Sequence, residues 1–158
     1  MALRDALSLL KSKQPDAFKR VQSKDLLEGM TCAALFVAAA PKKLPDGTTQ
    51  KGHISDEEAD QLSVSLLSNE ALAGNKIEHV QAVISRFKDQ INSTPRSAMI
   101  QIEKEVREAV SKDATNGLQI AAVAADVAEA EDGIDENEQE RLVTVCRWCG
   151  VQPSAIGL

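Results

Sequence analysis

A chain of 158 residues is long enough for one domain that buries most of its surface and too short for two ordinary ones. Its 43% hydrophobic content argues against wholesale disorder. With one Trp, three Phe and no Tyr, the core must be built from Ala, Leu, Ile and Val, and base stacking is excluded. The net charge of −6 divides into +4 over residues 1–51 and −10 over residues 52–158. Such a field repels nucleic acid and concentrates cations around its acidic part.

Residues 2–12 space Leu3, Ala6, Leu7 and Leu10 on one side of a short helix, with Arg4, Lys11 and Lys13 opposite. Residues 1–22 therefore read as a basic amphipathic segment, able to rest on an anionic membrane surface or to pack on the domain. Pro15 opens a second short stretch through Val21. The domain proper spans residues 23–158.

Ser23 can cap a helix over 24–40, whose apolar positions wrap most of its circumference and predict a buried central element. Pro41 stops it. Residues 41–53, rich in turn formers around Pro45-Asp46-Gly47, predict the longest loop. Ser55 with Glu58 has the form of a capping box, opening a helix to about Leu67 with Ala59, Leu62 and Leu66 inward. A short turn over 69–73 leads to a helix over 76–91, with Ile77, Val80, Val83, Ile84, Phe87 and Ile91 on one face. Thr94-Pro95 starts the next, with Met99, Ile102, Val106, Ala109 and Val110 inward. Asp113 caps a further Ala-rich helix to about Ala130.

Residues 129–140 then carry seven carboxylates around Gly133 and Ile134. Asp135 with Glu138 forms a second capping box, and its helix, with Leu142, Val145, Cys146 and Trp148 inward, ends at Gly150. Residues 153–156 can add a single turn. No segment alternates like a strand at useful length, so the expected class is all-α.

The stretches 52–62 and 132–142 align without gaps: Ile54 with Ile134, Ser55 with Asp135, Glu58 with Glu138, Leu62 with Leu142. Each follows an Ala-rich helix and opens an amphipathic one, which points to a repeated helix–corner–helix unit and a pseudo-twofold arrangement.

Acidic corners of this kind suit a hard cation, which wants several oxygens converging on a turn. The spacing is not that of an EF-hand: with Gly133 at the sixth loop position, Ala128 and Ala130 stand where acids are required and Gln139 at the twelfth. Helix capping also accounts for Asp135 and Glu138 without any ion, though not for Glu131 and Asp132. Zinc finds little support. Cys146-x-x-Cys149 has no second pair and no spaced histidine, and reads as two small apolar residues on the last helix. There is no nucleophile–base constellation and no Gly-rich phosphate loop, so enzymatic activity is not expected.

The Ala-rich helix followed by Gly52-His53-Ile54-Ser55-Asp56-Glu57-Glu58, its echo from Glu131 to Glu138, and the closing run from Val145-Cys146 through Gly150-Val151-Gln152-Pro153-Ser154-Ala155-Ile156-Gly157-Leu158 together resemble the tellurite-resistance TerB family. The resemblance covers about Lys24 to Leu158. It implies a compact all-α bundle of about seven helices with pseudo-twofold halves, a stress-response role, and a divalent-cation site, most readily Ca²⁺, at the corners. It also implies protein partners, including TerC-like membrane proteins, which suits the basic segment 1–22 as a docking element at the inner face of the membrane. The cytoplasm is the expected compartment.

Two departures from the family pattern bear on the site. Lys51 stands where the first motif has an acid, and the second motif's glycine is displaced to Gly133. The candidate metal set is Ser55 and Glu58 with Asp46 as a substitute acid from the loop, and Glu131, Asp132, Asp135 and Glu138 from the second corner. The alternative reading is a metal-free acidic scaffold that recruits a basic or membrane-associated partner.

Overall fold

The computed structural model describes residues 24–50, 52–72, 75–130 and 133–158. The expected helices before Ser23, that cap itself, and Lys51, Glu131 and Asp132 all lie outside the described residues. Six α-helices are described, α1 Lys24–Ala38, α2 Asp56–Ser68, α3 Ile77–Ser93, α4 Pro95–Lys112, α5 Thr115–Ala130 and α6 Glu136–Cys149. The bundle is all-α as expected, with six helices among the described residues where about seven were expected. Single 3₁₀ turns at Glu70–Leu72 and Pro153–Ile156 complete it.

Helix α1 is the hub. Residues 26–37 are all buried, and the helix packs against α3, α4, α5 and α6. Small side chains make this possible. At Gly29, an added Cβ would lie only 2.9 Å from the Ala109 Cβ of α4. Helix α5 is likewise buried through its Ala-rich centre and lies against both α1 and α6. The two Ala-rich helices thus meet in the middle, each continuing through a corner into α2 or α6. Helices α3 and α4 are amphipathic, burying one stripe each. Ile77, expected on that stripe, is instead 39% exposed in the first turn of α3.

The loop after α1 departs from expectation. It contains a minimal antiparallel β-hairpin, β1 Lys42–Lys43 paired with β2 Thr49–Gln50. Asp46 and Gly47 form its tip, with Gly47 at φ +86° and the Asp46 carboxylate accepting from the backbone N–H and the hydroxyl of Thr48 at 2.9 and 2.6 Å. Two-residue strands carry no alternation that a sequence pattern can show, so the turn was legible and the pairing was not.

Candidate functional site

Each corner is built by a helix cap. At the first, the Ser55 hydroxyl accepts from the Glu58 N–H at 3.1 Å and starts α2. At the second, the Asp135 carboxylate accepts from the Glu138 N–H at 2.8 Å while the Glu138 carboxylate accepts from the Asp135 N–H at 3.4 Å, a complete capping box. Both helices begin with acids, Asp56, Glu57 and Glu58 in α2 and Glu136 and Glu138 in α6, which face the positive ends of their helix dipoles.

The rest of the molecule fixes the corners in place. Asn92 of α3 holds the first with two bonds: its amide oxygen accepts from the Ile54 N–H at 2.9 Å, and its amide N–H donates to the Ile54 carbonyl at 2.8 Å. Ile54 itself is buried under it. Gly52 is required there, because a Cβ at that position would stand 2.0 Å from the Ala39 carbonyl oxygen. Helix α6 in turn grips the end of α1. Asn137 donates to the Pro41 carbonyl at 2.7 Å, and Arg141 donates to the Phe36 carbonyl at 2.7 Å with its guanidinium 4.6 Å from the Phe36 ring. These bonds satisfy carbonyls at and beyond the α1 C-terminus.

Between the corners lies a cavity of about 410 Å³, lined by Ala38, Lys42, Glu58, Gly133, Ile134, Asp135 and Glu138. Glu58 from the first corner and Asp135 and Glu138 from the second therefore share one space. Gly133 adopts φ +84°, a left-handed turn that lets the chain reverse into Ile134 without a side chain at its apex. Lys42, at the root of the hairpin, enters the same space with its ammonium 4.0 Å from a Glu58 carboxylate oxygen.

Glu138 is the most perturbed of these groups. Burial pushes its carboxyl up to about 7, with the neighbouring Asp135 charge adding to the rise, while the Asp135 backbone N–H and the Lys42 ammonium pull it down. It is held at the edge of ionisation near neutral pH, where a second cation would complete its deprotonation.

The remaining sequence candidates fall elsewhere. Asp46 is engaged by Thr48 at the exposed hairpin tip, which also holds its carboxyl below the usual range, and it is not among the described residues lining the cavity. Ser55 is turned into its own helix as a cap. Glu131 and Asp132 are outside the described residues. Among the described residues, no group of three or more His, Cys, Asp or Glu is close enough to hold a metal ion directly. A cation in this cavity would be held partly through its own waters in addition to the lining acids.

Sequence reasoning overlooked Lys42, Asn92, Asn137 and Arg141. Only Lys42 carried a signal, a basic pair next to a turn. The two asparagines bond to backbone 38 and 96 residues away, and no local pattern announces that.

The cysteines are buried and free. Burial pushes the Cys146 thiol up to about 11 and the Cys149 thiol up to about 12, and raises Cys32 as well. Among the described residues, no helix is long and apolar enough to cross a membrane. No family model, no curated protein and no solved structure matches this chain.

Proposed function

We propose that this chain is a non-enzymatic, TerB-like stress-response module of the tellurite-resistance kind, which takes a divalent cation, Ca²⁺ in the first instance, and a protein partner at the cavity between its two corners. The observation that carries this reading is the convergence of Glu58 with Asp135 and Glu138, eighty residues apart in sequence, on one cavity. The corners are equivalent in sequence, and helix capping alone gives no reason for them to face each other. The raised Glu138 carboxyl makes the reading testable, since a cation there must displace its proton and affinity must fall as pH drops. The buried, unreactive thiols support a role in binding over chemistry on an oxyanion. A TerC-like membrane protein is the proposed class of partner, with the cytoplasm as the compartment.

The test is a thermal melt with and without millimolar Ca²⁺. The expected result is a rise in Tm that Glu138→Gln and Glu58→Gln each reduce; an unchanged Tm at millimolar Ca²⁺ removes the metal part of the proposal.

A second reading has its own observation. Lys42 already places an ammonium beside Glu58, so the cavity accepts a lysine, and a basic partner could supply one in its place. On that reading the chain is a metal-free acidic scaffold. A partner retained in the presence of a chelator and released by raised salt would favour it.

A further inference from the structure

On the opposite flank of α1, the helix carries a charge that the corners do not use. Glu28 is 9% exposed and is the one charged side chain within the buried run 26–37 of α1. Its carboxylate lies 4.0 Å from Arg86 of α3. Burial raises its pKa, Arg86 lowers it, and the negative charge of Glu105 on α4 adds to the rise. A carboxyl so placed is costly unless it is paired, and Arg86 supplies a partner from the side of an open space.

That space is a cavity of about 530 Å³ between α1 and α3, within the range of small-ligand sites. Buried Leu27 and Val83 give it an apolar floor, and exposed Lys24, His79 and Arg86 stand on its solvent side. Lys24 and Arg86, with the His79 imidazole beside them, therefore outnumber Glu28, the one carboxylate among the described residues that line the cavity. The local sign is positive on a chain whose total is −6. Arg86 is kept in position by its guanidinium stacking 4.5 Å from the Phe87 ring.

We propose that this cavity binds a monomeric anionic amphiphile, a medium-chain carboxylate or alkyl phosphate, with its chain on Leu27 and Val83 and its head on Lys24 and Arg86. A cationic head would meet Lys24 and Arg86 first, and a wholly polar ligand would leave the floor uncovered. The inference is independent of the corners.

The experiment is calorimetric titration of the full chain with decanoate, decyl phosphate and decyltrimethylammonium below their micellar concentrations. Saturable one-to-one binding of one or both anions is expected, and which of them binds tighter identifies the head group. Lys24→Glu and Ala82→Trp, the second placed to fill the cavity from an exposed position, should each weaken it at least tenfold. Equal binding of the cationic amphiphile overturns the proposal, as does binding unaffected by both substitutions. Attachment to anionic vesicles without binding of either monomer also overturns it. If a variant melts too low to compare, amide shifts of Leu27 and Val83 in the unaltered chain decide: they move on adding decanoate or decyl phosphate, or the proposal fails.

Discussion

Glu138 does two tasks with one carboxylate. It closes the capping box of α6 and it presents a charge to the cavity, and burial sets these in tension by pushing it up to about 7. A carboxyl whose folded pKa lies above its ordinary 4.5 contributes stability that is fully present below pH 4.5 and is lost as pH rises through about 7. Glu138→Gln keeps the acceptor for the Asp135 N–H and removes the titration. It should melt with the unaltered chain at pH 4 and exceed it at pH 8 by about 1 kcal/mol, the side chain's partial exposure having reduced the full linkage value. Melts across that range check this. Asp135→Ala, by contrast, removes the cap and should cost about 1 kcal/mol at any pH above the carboxylate range. If both variants destabilise equally at pH 8, burial is not what perturbs Glu138.

At the scale of elements, the sequence showed most of what local chemistry dictates. The helices over residues 24–38, 56–68, 77–93, 95–112, 115–130 and 136–149 all correspond to expected ones, because their periodicity, prolines and caps act within a turn or two. The two corners were legible as repeats for the same reason. What could not be read was how distant elements hold them. Asn92 sits on the exposed side of an amphipathic helix, where asparagine is unremarkable, yet it makes both bonds to Ile54. Asn92→Ala should cost about 2 kcal/mol, since it strands two backbone groups of a buried residue. Asn92→Asp should recover only the acceptor half. Chemical denaturation of the two variants measures this, and a neutral Asn92→Ala would show that water replaces the clamp. Asp46 shows how a local bond can occupy a candidate acid. An acid at the right distance along the chain was assigned to the first corner, but Thr48, two residues away, claims its carboxylate. That short local bond holds Asp46 at the hairpin tip.

At the scale of the whole molecule, the proposed calcium site should carry the signature of Glu138 in its affinity. With that carboxyl titrating at about 7, affinity should rise about tenfold between pH 6 and pH 8, with proton release on binding; a flat profile would place the ion away from Glu138. The hairpin offers a separate handle on the same cavity. Its root is fastened to α6 through Asn137 and Pro41, its tip is exposed, and Lys42 is the one strand residue that lines the cavity. The lysine pair is thus an exposed trypsin target whose first member is paired with Glu58 at 4.0 Å. Any occupant that takes Glu58 from Lys42 must turn that side chain outward, so the ratio of cleavage after Lys42 to cleavage after Lys43 becomes a clock for filling of the cavity. Mass spectrometry of the nicked chain would read it without a label, whichever cation or partner does the filling.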